Sequence, residues 1–189
     1  MRNLIAILHR PAETMQRILA QPRDRMVIPL VLLAALADGL RSVSTDDLRH
    51  TPFPPHVVGI VILVCIAVLL AAVGIFYGMA WVVTMVGRLF DGEGTFRAVR
   101  SSLAWGLVPV VLSLLYRVPL LFLPKPPWLV AVIVVLQAAV FLWWVALTSI
   151  TVAEAHRFSA WTALGTLALS SLAPLVVVGA AALTMVMKR

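Results

Sequence analysis

Apolar residues in this chain run in long blocks, and polar residues are confined to the gaps between them. Taken between charged residues and histidines, the five longest runs cover residues 26–37, 57–87, 101–116, 126–153 and 158–187, or 12, 31, 16, 28 and 30 positions. A helix that crosses the hydrocarbon core of a bilayer needs about 20 mostly apolar residues. The second, fourth and fifth runs meet that length outright. The third meets it if the helix continues past Arg117 to Leu123, with the guanidinium snorkelling to the interface. The first is short, and the pattern predicts a helix over residues 26–40 with Asp38 in or near the headgroups. The second is long: at 1.5 Å per residue it extends about 46 Å against a core of about 30 Å. It must tilt, kink or project into water. Ala71, Gly74 and Gly78 share one of its faces, and this spacing of small residues predicts close helix contact rather than a hinge. The expected fold is an all-α polytopic membrane bundle of five transmembrane helices, over about 26–40, 57–87, 101–123, 128–152 and 160–187. An amphipathic segment, residues 1–25, precedes it.

In that segment Leu4, Ile5 and Leu8 lie on one face, and Met15, Ile18 and Leu19 repeat the helical spacing after Pro11. Pro11 suits a first helical position, where no amide partner is needed. Arg10, Glu13 and Arg17 take the polar side, and Pro22 ends the helix. The pattern reads as an interfacial helix on the anionic cytoplasmic leaflet; its role is either curvature sensing or partner docking, or, as the preferred reading, a cap that closes the cytoplasmic side of the bundle. Leu4 to Leu8 is too short for the apolar region of a signal peptide, so the first spanning segment is expected to direct insertion.

Composition sharpens this picture. The chain is 62% hydrophobic and 12% charged, with a mean hydropathy of +1.03. It has too little polar surface for a water-soluble enzyme and too many apolar residues for disorder. The net charge of +7 fits loops at an anionic leaflet better than a nucleic-acid surface. Only Lys125 and Lys188 are lysines, and the weight of arginine points to a GC-rich bacterial genome and to nothing further. Counting Lys and Arg by side, five spans place 9 on the amino-terminal side and 6 on the other. The amino terminus is then cytoplasmic and the carboxy terminus extracytoplasmic. A four-span arrangement, with residues 26–40 on the surface, would give 11 against 4 and is favoured by charge counting alone. The single cysteine, Cys65, reads as a small buried hydrophobe and allows neither an intrachain disulfide nor a cysteine metal site.

Candidate chemistry is sparse. The polar stretch 41–56 holds Asp46, Asp47, His50 and His56, but matches no metal-ligand spacing and reads as a proline-stiffened linker. Between the second and third runs, Gly92 and Gly94 break the helix, and Thr95 caps the next one. Asp91 and Glu93 sit there beside arginines, and Phe96 begins the next apolar face. No cofactor and no metal site is expected.

Three features resemble the Yip family, the Rab/Ypt-interacting membrane proteins and their small bacterial relatives. They are the amphipathic start His9-Arg-Pro-Ala-Glu-Thr-Met-Gln-Arg-Ile18, the loop with Gly92, Gly94, Thr95 and Phe96, and the step Ala104-Trp-Gly-Leu-Val-Pro109. The resemblance implies a five-helix membrane domain with a cytoplasmic amino terminus and a short outer carboxy terminus, and it decides for five spans over four. Eukaryotic members act in vesicle traffic by contacting prenylated Rab proteins after a long amino-terminal region. Here about 25 residues precede the first run, and the Rab-type role is not carried over.

Function narrows to two classes. No nucleophile elbow or His–Glu zinc spacing is present, so an enzyme is not expected. A non-catalytic scaffold would bind other membrane proteins, a second copy of itself, or lipid through residues 1–25. A channel, flippase or carrier for a neutral or lipid-like molecule is the alternative. It would use Gln137, Ser170, Ser171 and helices broken at Pro109 and Pro174. A cavity reaching Gln137 would favour it. Trp143, Trp144 and Trp161 read as anchors or packing groups. Asp38, the acid that ends the first run, is expected to pair with Arg41 or Arg117 near the outer interface.

Overall fold

The computed structural model describes residues 6, 7, 9–21, 25–40, 55–123 and 126–172. Among the described residues every regular element is helical. In chain order they are α1 (Pro11–Leu19), α2 (Val27–Gly39), α3 (Pro55–Leu89), α4 (Phe96–Gly106), α5 (Val108–Leu112), α6 (Leu114–Leu120), α7 (Pro127–His156) and α8 (Ala160–Leu172).

Among the described residues three stretches are long and apolar enough to cross a membrane: Val58–Leu89, Phe96–Leu120 and Pro127–His156. The expected first span falls short of this. α2 has 13 residues, about 20 Å at 1.5 Å per residue, where the core needs about 30 Å. Of the expected fifth span only α8 is described, and 173–187 lies outside the described residues. The third span is not one helix but three. Gly106 ends α4, and Pro109 stands at the start of α5 without an amide to donate. Ser113 turns its hydroxyl back to the Val110 carbonyl at 2.6 Å, a bond that bends helices. Pro119 lies inside α6.

The core gathers at one end of the bundle, where α3 and α7 end and α4 begins. One cluster joins Ile7, Met15 and Ile18 to Leu30 of α2, Trp105 of α4 and Leu147 of α7. A second joins Val83 of α3, Val99 of α4, Val152 of α7 and Ala163 of α8. The opposite halves of α3 and α7 are bare, with Leu63 67% and Val135 68% exposed. Such surface is stable only against lipid tails or another apolar partner. Two expectations change accordingly. Cys65 is exposed rather than buried, because no helix among the described residues covers its stretch of α3. Gly74 and Gly78 make no close helix contact, since a Cβ on either would meet nothing within 4 Å.

α1 is the cap. Thr14, Met15 and Ile18 are buried, and the Gln16 side-chain amide donates to Glu154 Oε2 of α7 at 2.8 Å. Arg97 of α4 donates to the Gln21 carbonyl just beyond α1. The apolar face thus packs against protein, while Arg10, Glu13 and Arg17 stay exposed.

Candidate functional site

Helices α3 and α7 end side by side, and each stops in the same way. Asp91 takes a left-handed conformation at φ 58°, and the Gly92 amide returns to the Gly87 carbonyl at 2.9 Å. Arg157 does likewise at φ 60°, and the Phe158 amide returns to the Ala153 carbonyl at 3.2 Å. These are Schellman-type stops with Asp and Arg where glycine is usual. No glycine among the described residues has a positive φ. The expectation that Gly92 and Gly94 break the helix is therefore corrected: the left-handed residue is Asp91, and the reason for the two glycines is space.

That space is filled by His156. A Cβ on Gly87 would stand 2.5 Å from its Nε2, one on Gly94 2.6 Å from its Nδ1, and one on Gly92 within 3.0 Å of its Cγ. The ring is 1% exposed and stacks on Phe158 at 5.0 Å between centroids and 3° between planes. Neither ring nitrogen has a hydrogen-bond partner of good geometry among the described residues. His156 lies beyond the charge-free run of α7, which ends at Ala153. Burial, reinforced by the Arg88 guanidinium, pushes its pKa below the ordinary 6.5, and the Gly92 backbone opposes the shift. The loop is tied down around it: the Glu93 amide donates to the His156 carbonyl at 3.1 Å. Arg157 also reaches Glu93 Oε2 at 3.1 Å, an exposed ion pair worth at most about 1 kcal/mol. Thr95 caps α4 by accepting from the Ala98 amide at 3.3 Å. Phe96 tilts onto Tyr77 at 6.3 Å, and Arg100 covers the same Tyr77 ring at 5.4 Å. No group of three or more His, Cys, Asp and Glu able to hold a metal exists among the described residues.

The second feature is an open cavity of about 740 Å³ between α2, α3, α5, α6 and α7. Val31, Phe76, Val110 and Phe141 contribute to its apolar walls, and Asp38, Arg117 and Gln137 bring polar groups to it. Arg117 donates to the carbonyl of Ala37, the residue before Asp38. Among the described residues its buried Nε has no hydrogen-bond partner, nor has the buried Tyr116 hydroxyl. Arg117, Tyr116 and Gln137 also line a smaller adjoining cavity of about 60 Å³. Gln137 stands ten residues into α7, about 15 Å from its start.

The structure thus divides the residues singled out from the sequence. Asp91, Gly92, Glu93, Gly94 and Phe96 belong to the loop. Asp38, Arg117 and Gln137 meet at the cavity, and Arg41 lies outside the described residues. Pro109 is buried at the α4–α5 break. Close by, Gly106 lets α4 approach α7, where a Cβ would stand 2.5 Å from Thr148 Oγ1. Ser170 is buried, and its hydroxyl has no hydrogen-bond partner among the described residues. Ser171 donates to the Ala168 carbonyl at 2.7 Å, and Pro174 lies outside the described residues. His156 was not singled out. The available signal was three glycines within eight positions, more than one turn requires, beside a histidine that closes an apolar helix.

No curated protein and no solved structure matches the chain. The family model of the Yip1 domain does, over residues 5–183. That match covers the amphipathic start, the glycine loop and the broken third run together, and the chain belongs to the Yip1 domain family.

Proposed function

We propose that this protein is a non-catalytic membrane scaffold that binds other membrane proteins, or a second copy of itself, at the loop end of its bundle. The observation that carries this reading is a rigid loop with apolar side chains left bare beside it. Leu89 is 77% and Trp161 82% exposed, and Phe90 is exposed as well, while His156 fixes the backbone around them. Exposed apolar groups on a fixed surface mark contact sites. A photoreactive residue at Leu89 or Phe90 in native membranes tests it. The expected result is a discrete protein adduct, identified by mass spectrometry, from these positions but not from Leu63. Lipid adducts alone from all three positions overturn the reading.

The membrane in this proposal is a bacterial inner membrane, with a cytoplasmic amino terminus, five spans and an extracytoplasmic carboxy terminus. The arginines of residues 1–25 and of residues 88–100 support this orientation. The exposed Arg10 and Arg17 would then face an anionic leaflet. Alkaline phosphatase fused after Arg189 should be active and green fluorescent protein dark; the reverse supports four spans. A second reading, a carrier for a lipid-like molecule, is favoured by the open cavity that reaches Gln137.

A further inference from the structure

We propose that the cavity between α2, α3, α5, α6 and α7 binds an uncharged lipid with a hydroxyl headgroup, of the diacylglycerol class, with that hydroxyl on the Gln137 carboxamide. The site is separate from the docking loop and needs no transport. Gln137 stands 19 residues before His156, about 29 Å along α7, and neither reading depends on the other.

Residues 126–153 hold no charged residue and no histidine, and Gln137 lies near the middle of them. A run of that length spans the hydrocarbon core, so the Gln137 amide sits close to the bilayer midplane. It is half-buried and lines both the main cavity and the small one beside it. It makes no hydrogen bond to another described residue. An amide left unpaired in hydrocarbon is costly, so the cavity favours an occupant that brings a polar group to this depth.

That group is neutral. The charged residues lining the cavity are Asp38 and Arg117, of opposite sign. Both are engaged: Arg117 donates to the Ala37 carbonyl, and Asp38 has a partner of its own. A phosphorylated headgroup would bring uncompensated charge toward the midplane, whereas a hydroxyl brings none. A hydroxyl both donates and accepts, as a carboxamide does, so one lipid alcohol closes two bonds with Gln137. The rest of the cavity suits acyl chains. Phe76, Phe141 and Trp144 supply rings to its walls, and Ile75 and Val134 line it while remaining exposed, so chains enter from the bilayer. The volume, about 740 Å³, lies within the roughly 300–1,000 Å³ usual for ligand sites.

Native mass spectrometry of the full chain in detergent tests this, with dioleoylglycerol, its acetate ester and dioleoylphosphatidic acid titrated in turn. The three share their chains and differ at the head. One dioleoylglycerol per chain is expected. The acetate has no hydroxyl to donate and should bind about 2–10-fold more weakly, the worth of one hydrogen bond between neutral groups. The phosphatidic acid should bind at least about tenfold more weakly. Gln137→Leu removes the amide with little change of volume, and dioleoylglycerol and its acetate should then bind alike. Ala138→Phe fills the cavity wall and should abolish retention of all three. Equal binding of dioleoylglycerol and its acetate by the unaltered chain overturns the hydroxyl site, as does a preference that persists in Gln137→Leu. Phosphatidic acid bound as tightly as dioleoylglycerol overturns the neutral assignment. Retention unaffected by Ala138→Phe overturns the location, and an unaltered chain that retains no dioleoylglycerol overturns the site altogether. None of these outcomes alters the crosslinking result at Leu89 and Phe90, on which the docking reading stands or falls.

Discussion

Gly87→Ala adds one methyl group where three elements meet, and its cost can be worked from the geometry. The new Cβ would stand 2.5 Å from His156 Nε2 and 2.8 Å from Nδ1, well inside van der Waals contact. Gly87 lies in the last turn of α3 with an ordinary helical backbone, so the substitution also gains up to about 1 kcal/mol of helix propensity. Against that, overpacking a filled site costs about 1–3 kcal/mol. The upper end applies because the ring has nowhere to move: Gly92 and Gly94 press its Nδ1 side and Phe158 stacks on its face. The net loss is about 2 kcal/mol. At about 2–4 °C per kcal/mol for a chain of this size, the thermal midpoint in detergent should fall by about 4–8 °C. Tryptophan fluorescence on heating measures it. His156→Ala destabilises on its own by opening a cavity, but in the double variant the methyl group added at position 87 enters the vacated volume. The double variant should lose at least about 1 kcal/mol less than the sum of the singles. Additivity within about 0.5 kcal/mol refutes the claim that the glycine exists to seat the ring.

Four further outcomes follow. The folded state holds His156 below 6.5, so the stability this contributes is complete above that pH and is lost as pH falls below it toward the folded value. The thermal midpoint should therefore drop more from pH 7 to 5 in the unaltered chain than in His156→Gln, and equal drops refute it. Met15→Ala empties a fully buried position between α1, α4 and α7 and should cost about 2–5 kcal/mol, with faster proteolysis of residues 1–25 as the readout. Thr95→Ala removes the α4 cap and should cost about 1 kcal/mol in the same thermal assay. Gly74→Ala and Gly78→Ala, whose added Cβ atoms meet nothing within 4 Å, should be neutral or stabilise by up to about 1 kcal/mol each.

The membrane class, the helical content and the family were legible because they depend on quantities a sequence carries directly. Run length against bilayer thickness is a count, and the amphipathic period of Met15, Ile18 and Leu19 is a pattern along one helix. Thr95 was legible as a cap because capping is local to one turn. The broken third run was less so. Pro109 was visible as a possible break, but the second break at Ser113 depends on a hydroxyl turning back to Val110 rather than outward.

The sequence by itself determined that this chain lives in a lipid bilayer as helices, because every backbone polar group in such runs must be satisfied within its own helix. It also determined where runs of charge interrupt the bilayer. What only the tertiary structure decided is what the amphipathic start packs on, what the glycines are for, and which distant polar residues meet. Met15 has the same periodicity whether it faces lipid or Leu147, since both are apolar. Gly87, Gly92 and Gly94 look like a flexible turn until His156, more than sixty positions away, is seen in the space they leave. Asp38, Arg117 and Gln137 come from three separate runs, and only the crossing of α2, α6 and α7 brings them to one cavity. Contacts between distant segments leave no period along the chain, so packing alone reveals them.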